Sequence, residues 1–454
     1  MRKILTAALV VLAFAIFMPI ALHANEITVT INGEAVDFEG QPPTIIDGRT
    51  LVPVRGVFEA LGFEVSWYEP TQTVTLAGDI YVVVISIGGA AFTTNGISHP
   101  LDVPAQIVEG RTLLPIRAVL ESVGYEVDWD DDTRTILIAS GPPIGEIPAY
   151  IMIHGQRYST ALTELMLVQE GLTNADIVPL RYMINLEELN LRGNQISDIT
   201  PLAGLTNLTI LVLSSNQISD ITLLAGLTKL SVLNLGSNQI TNIAPLTGLM
   251  NLTELNLGGN QISNITLLAG MENLEALGLH YNQINDITPL AGLTNLTELW
   301  LAYNQITDIT PLTGLANLEV LWLTDNQITD ITPLIGLMNL DWLGLDFNLI
   351  TDITPLAGLT NLSLLSLWGN QITDITPLAR LTNLDELHLY GNQITDIIPL
   401  AELTNLGVLV LSNNQITDIA PLAGLTDLMS LYLDDNPITD WSPVAHVEDV
   451  SGRP

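Results

Sequence analysis

The chain has 454 residues, 49 acids against 13 bases, and a formal charge of −36. So acidic a surface makes nucleic acid and anionic lipid poor partners and favours a cationic protein patch, a neutral glycan or a divalent cation. There is no cysteine, which excludes disulfides, zinc-thiolate sites and cysteine nucleophiles and leaves stability to core packing.

Residues 1–24 read as a secretory signal peptide. Arg2 and Lys3 are its charged start, Ile4 to Ala21 is apolar, and Leu22-His23-Ala24 is a cleavage site before Asn25. An uncleaved membrane anchor is the alternative, because the apolar stretch is just long enough to span. No later apolar run reaches that length. The mature chain is therefore expected to be exported, without a transmembrane segment, and a monomer.

Residues 26–140 hold a duplication. Asp47-Gly-Arg-Thr-Leu-Val-Pro-Val-Arg55 returns as Glu109-Gly-Arg-Thr-Leu-Leu-Pro-Ile-Arg117, an offset of 62 residues, and Gly62 and Trp67 return as Gly124 and Trp129. Each half predicts a hairpin, one short helix and a second hairpin. Ile27 to Ile31 alternates before Asn32-Gly33, a strong hairpin turn. Val82 to Ile87 before Gly88-Gly89 is its counterpart. Pro53 opens a helix that Gly62 closes as a left-handed cap. His99 reads as an exposed turn residue before Pro100. Arg55 and Arg117 read as structural partners of nearby acids, with ligand binding the lesser alternative. Proline and glycine mark residues 141–154 as a linker.

Twelve asparagines then recur every 22 residues, from Asn194 to Asn436, without insertion or deletion. A period of this size means a solenoid. Leu296 to Ile309 carries the pattern L-x-x-L-x-L-x-x-N-x-I, which predicts a short strand around Leu299-Trp300-Leu301 and an inward asparagine that satisfies unpaired turn backbone. Thr310 as N-cap and Pro311 as first helical residue predict one 3₁₀ turn per repeat. The repeats span 181–446. Residues 155–180 are a degenerate N-terminal cap with Leu172 in place of the asparagine, and 447–454 are a C-terminal tail. The fold class is thus an α/β leucine-rich-repeat solenoid, a horseshoe with a parallel concave sheet, preceded by a small α+β domain of two related halves.

The two Gly-Arg-Thr-Leu-Val/Leu-Pro-Val/Ile-Arg runs, with their glycines and tryptophans, resemble the copper amine oxidase N-terminal-like domain of exported Gram-positive proteins. The resemblance implies a non-catalytic stalk module. Copper chemistry is not expected, because His99 has no partner at ligand spacing. The near-verbatim Asn-Gln-Ile-Thr/Ser-Asp-Ile-x-Pro-Leu-x-x-Leu repeat resembles internalin-like bacterial leucine-rich repeats. That resemblance implies a secreted or surface protein whose concave face binds host proteins. The immunoglobulin-like module and LPxTG sorting signal usual in that family do not follow the repeats, which leaves attachment to the wall open.

In this pattern the residues between the strand leucines face outward from the concave sheet. Trp300, Trp322 and His388 fall there, with Trp342, His280, Trp368 and Tyr390 beside them and Tyr281, Tyr303 and Phe347 next to those. Earlier repeats offer mostly Ser, Gly, Thr and Asn. These ten residues are the candidate ligand patch, with Glu298, Glu319, Asp325, Asp341, Asp346 and Glu386 as an acidic rim. Exposed aromatics gathered on one face dominate interface hot spots. Random drift among similar repeats is the competing account. A column of Asp198, Asp220, Asn242, Asn264, Asp286, Asp308 and six further aspartates reads as caps, with interleaved calcium the lesser alternative. No Gly-x-Ser-x-Gly elbow, P-loop or His-Glu-x-x-His occurs, so neither catalysis, metal nor cofactor is expected. The expected partner is a protein ligand, cationic by charge complementarity, with a glycan or peptidoglycan as the alternative.

Overall fold

The structure, a computed structural model, describes residues 27–453 apart from 39, 47, 79–80, 95–96, 124, 132 and 140–146. The signal peptide expected over 1–24, Gly124 and the first part of the linker lie outside the described residues. The chain divides into two compact units, one drawn from residues up to Ile144 and one made chiefly of Gly145–Pro454. Among the described residues no helix is long and apolar enough to cross a membrane.

In the first unit the turn signals act as their chemistry requires. Thr28–Ile31 and Glu34–Ala35 form a hairpin, and its turn residues Asn32 and Gly33 both take positive φ, 53° and 86°, as a type I′ turn demands. Helices α1 (Val54–Ala60) and α2 (Ile116–Ser122) follow Pro53 and Pro115. Gly62 closes α1 at φ 88°. Phe63 N–H then reaches back to the Phe58 carbonyl at 2.8 Å, and Tyr125 N–H makes the matching bond to Leu120 at 3.0 Å. Both are the six-to-one bond of a Schellman cap.

The two halves interlock. Thr28–Ile31 of the first runs parallel to Thr135–Ala139 of the second. The two Gly-Arg-Thr hairpins, Thr44–Ile46 with Arg49–Pro53 and Gln106–Val108 with Arg111–Leu114, join into one four-stranded sheet where Leu113 pairs Pro53 and Leu114 pairs Val52. Val52, Leu113, Leu114, Val57, Phe58, Val119 and Leu120 are buried. His99 departs from expectation. It lies in the strand Ile97–Pro100 and stacks on Phe92, ring centroids 5.0 Å apart at 22°. The flat imidazole covers an aromatic face instead of standing in water.

In the second unit fourteen strands form one parallel sheet. Twelve come from the repeats. Glu164–Met166 adds one from the cap, and Asp449–Ser451 adds another from the stretch read as a tail. Each repeat strand is three residues long with a buried central leucine, as in Glu298–Trp300 around Leu299. The strands stack in register, Leu299 beside Leu321 beside Leu343. A single continuous leucine and isoleucine core runs the length of the unit.

The asparagine ladder holds successive repeats together. Asn326 is 7% exposed. Its Nδ2 donates to the carbonyls of Leu323 at 3.0 Å and, one repeat back, Leu301 at 3.1 Å, while its Oδ1 accepts from Ile306 N–H at 3.0 Å. One side chain thus satisfies three buried backbone groups, each of which would be penalised by about 1–3 kcal/mol if left unpaired. Leu172 in the cap needs no asparagine of its own, since Asn194 Oδ1 accepts its N–H at 2.9 Å. A second ladder runs beyond the 3₁₀ turns: Asn317 donates to the Thr294 carbonyl at 2.9 Å and Asn339 to Ala316 at 3.0 Å.

The 3₁₀ turns, such as Thr310–Gly314, carry proline at their start, except Thr222–Gly226 and Thr266–Gly270, which have leucine there. Their cap is the aspartate two residues earlier, not the threonine expected. Asp308 Oδ1 accepts Thr310 N–H at 2.8 Å, and Asn242 and Asn264 do the same with amide oxygens at 2.9 Å. Bonds from the hydroxyl and amide of the threonine two residues on hold the Asp286, Asp308, Asp330, Asp352 and Asp374 carboxyls below the usual carboxylate range. Among the described residues no group of three or more acids or histidines is placed to hold a metal.

Candidate concave-face binding site

Four outward positions per repeat build the concave surface: the first and third residues of the strand and the two residues before the ladder asparagine. The last of these has left-handed backbone in every repeat for a geometric reason: the chain must turn sharply to bring the asparagine inward. Glycine fills it at Gly193, Gly259, Gly369 and Gly391, with φ between 61° and 74°. Tyr281, Tyr303 and Phe347 occupy it at φ 53°, 57° and 51°. For a residue with a bulky side chain the left-handed region is disfavoured by roughly 1–2 kcal/mol. The three rings are also 54%, 38% and 50% exposed, so burial does not offset that strain.

The rings gather in two groups. Tyr281 and Tyr303 stack with centroids 4.1 Å apart and planes 8° from parallel, and His280 meets Tyr281 edge-on at 5.9 Å. With Trp300 and Trp322, paired in register on adjacent strands, these residues line a recess of about 340 Å³ that also takes in Thr324 and Asp346. Trp368 forms the second group, 5.7 Å from both His388 and Tyr390. It lies two residues past its strand, Leu364–Ser366, whereas Trp300, Trp322 and Trp342 lie on three consecutive strands. Trp342 is 46% exposed at the first strand position, beside Val320 and Leu364.

Small residues in neighbouring repeats make room for the rings. An added Cβ at Gly344 would fall 2.0 Å from Trp322, one at Gly258 2.2 Å from His280, and one at Gly369 2.6 Å from Phe347. The glycines are seats on which indole, imidazole and phenyl rings lie.

Asp346 was expected on the acidic rim. It is instead buried in the recess, where its Oδ1 accepts from the Ser366 hydroxyl and from Trp368 N–H at 2.8 Å and its Oδ2 from Thr324 Oγ1 at 3.3 Å. Three donors compensate the carboxylate for lost water. Its charge and that of Asp325, together with the Tyr281 hydroxyl, which acts most strongly, push the Tyr303 phenol up. Burial pushes both His280 and His388 down, against the opposing pull of Glu386 and Asp346 on His388. At both positions burial favours the neutral imidazole. Two buried polar atoms among these rings, His280 Nδ1 and Trp368 Nε1, have no hydrogen-bond partner among the described residues.

A second recess of about 340 Å³ lies beside the first, floored by Asn234, Asn256 and Gly278 and walled by Glu254, Glu298 and Trp300. Asn234 and Asn256 each use Oδ1 to accept a local backbone N–H, at 3.1 and 2.9 Å.

The leucine-rich repeat family, described as two-copy repeats, matches seven stretches between residues 184 and 446. An internalin from Listeria monocytogenes is 39% identical, covers 66% of this chain and 91% of its own, and superposes with a TM-score of 0.63. The chain belongs to the internalin-like leucine-rich repeat proteins. A leucine-rich repeat protein of Leptospira interrogans is similar at 27% identity, over 60% of this chain and 80% of its own, with a TM-score of 0.55. In the first unit of this internalin-like protein, residues 30–138 match the copper amine oxidase N-terminal domain. A curated protein of Brevibacillus choshinensis, named a protease inhibitor, is 26% identical over 135 residues, which are 29% of this chain and 40% of the relative. The internalin-like chain thus spans well under half the length of that relative.

Proposed function

We propose that this protein is an exported, non-catalytic surface or extracellular protein that docks a protein ligand on the concave face of repeats five to ten, with His280, Tyr281, Trp300, Tyr303, Trp322, Trp342, Phe347, Trp368, His388 and Tyr390 as the contact surface. The observation that carries the reading is the exposed tyrosine pair and phenylalanine held at left-handed positions where glycine serves elsewhere. Backbone strain maintained under exposed side chains marks residues kept for recognition. The net charge of −36 favours a cationic partner.

A glycan is the second reading. It is favoured by the neighbouring recess, where the asparagine amides and Trp300 match a sugar's hydroxyls and flat apolar face. Pull-down with purified wall glycan and, separately, with host-cell surface proteins distinguishes the two. Enrichment of a protein that is lost with Trp322→Ala supports the first reading. Retention on glycan alone, equally sensitive to Trp300→Ala, overturns it in favour of the second.

A further inference from the structure

The first unit holds two grooves of about 770 and 570 Å³, and they are built reciprocally. The larger sets α2, with Arg117 and Trp129, against the first half's hairpin residue Arg49. The smaller sets α1, with Arg55 and Trp67, against the second half's Arg111. This exchange follows from the sheet: the two Gly-Arg-Thr hairpins meet at its centre, so each passes its arginine across to the other half's helix. Each groove therefore joins two arginines to a tryptophan in a chain that has only 13 bases.

The grooves differ in what faces the hairpin arginine. In the larger, Arg49 Nη2 bonds Asp102 Oδ2 at 2.8 Å. The residue 62 positions before Asp102 is Gly40. There the backbone lies against the guanidinium, an added Cβ being 3.4 Å from Arg111 Nη2. Among the described residues Arg111 has no acidic partner, and Arg55 has only Glu59 at 4.0 Å. One groove thus carries its own carboxylate, and the other lacks the equivalent group. The smaller groove also offers apolar and aromatic surface from Phe38, Val54, Val65, Trp67, Val74 and Ile107, and its one lining carboxylate, Glu69, accepts from Trp67 Nε1 at 2.6 Å and forms no ion pair with Arg111.

We propose that the smaller groove is a binding site for a carboxylate carried on an apolar body. The ligand's carboxylate takes on Arg111 the place that Asp102 takes on Arg49, since a guanidinium fork suits a carboxylate's two oxygens. Its apolar part lies against Trp67 and Phe38. Phosphate has no apolar body to fill the groove, and a neutral apolar molecule leaves the guanidinium unpaired. This site is independent of the concave face.

The test is calorimetric titration of the full-length protein with N-acetyl-L-phenylalanine, with its neutral amide and inorganic phosphate as parallel arms. The carboxylate is expected to bind at one site per chain, the amide and phosphate at least tenfold more weakly. Arg111→Ala should weaken binding at least tenfold. Asp102→Ala should raise the stoichiometry from one to two, by freeing Arg49 in the twin groove. Because that variant gains a site and removes only an exposed pair, misfolding cannot mimic its effect. Equal binding of amide or phosphate, an unaffected Arg111→Ala, or an unchanged stoichiometry in Asp102→Ala would each overturn the proposal.

Discussion

Repeats one to four and repeats five to eight run through the same backbone with different side chains. At the left-handed position the first set reads Gly193, Ser215, Ser237, Gly259, with φ of 74°, 58°, 56° and 69°. The second reads Tyr281, Tyr303, Asp325, Phe347, with φ of 53°, 57°, 52° and 51°. The buried apolar core and the ladder asparagines continue through both. The fold therefore specifies a conformation at this position and tolerates the small residues that suit it. The aromatic residues are an addition that the fold does not require, and they coincide with the recess and the unpartnered ring nitrogens. A repeat protein makes this comparison unusually clean, because each repeat is a control for its neighbours.

The largest expected effect is on binding. Trp322→Ala removes an indole from the recess, and truncating such an anchor commonly costs about 2 kcal/mol or more, roughly thirtyfold in affinity. Ser215→Gly, in the repeats of the first set, should bind as the parent does. Titration of one verified ligand against both variants checks this, and equal affinities would reduce the aromatic columns to packing.

The framework shared by both sets should respond to a different kind of change. Asn326→Ala leaves buried backbone groups unpaired and should destabilise by about 1–3 kcal/mol. Gln327→Ala, at an exposed neighbour, should change stability by no more than a few tenths. Denaturant melts with equal midpoints for the two variants would contradict the ladder assignment.

The smallest effect concerns pH. Repeats three and four are capped by Asn242 and Asn264, whereas Asp286 through Asp374 cap repeats five to nine with carboxylates held below their ordinary range. A carboxylate with a depressed folded-state pKa contributes stability that is present above its unfolded value and is lost as pH falls through the folded one. Repeats five to nine should therefore lose amide protection on acidification below about pH 4 while repeats three and four do not. Hydrogen exchange at pH 3 and pH 6 checks this, and Asp308→Asn should make its own repeat insensitive.

The solenoid was legible because its period is unbroken: the strands, the inward asparagines and the 3₁₀ turns all follow from spacing. The capping role of Asp308 was legible as a role for the column, but the specific bond was not, since Thr310 has the same chemistry two residues later. The burial of Asp346 could not be read, because it depends on hydroxyls at Thr324 and Ser366 contributed by flanking repeats. The left-handed position had a signal in the mixture of Gly, Ser, Asn and Asp at Gly193, Ser237, Asn413 and Asp435, residues that turns favour. Tyr281 and Tyr303 could be placed on the concave face from the sequence, but their strain could not be seen without that backbone. In the first unit the duplication was visible, whereas the exchange of Arg49 and Arg111 between halves depends on how the two hairpins pair.

The central claim is that the left-handed aromatics are kept for recognition and not for stability, and the double variant Tyr281→Gly, Tyr303→Gly tests it most directly. It installs the residue that Gly193, Gly259, Gly369 and Gly391 already supply. Relief of backbone strain, roughly 1–2 kcal/mol per site, should offset the lost ring stacking and the greater entropy of the unfolded glycine chain. The account predicts a melting temperature equal to or above the parent's, together with ligand affinity reduced at least about tenfold, as for loss of a contact worth about 1.4 kcal/mol. A lowered melting temperature with affinity unchanged would contradict it.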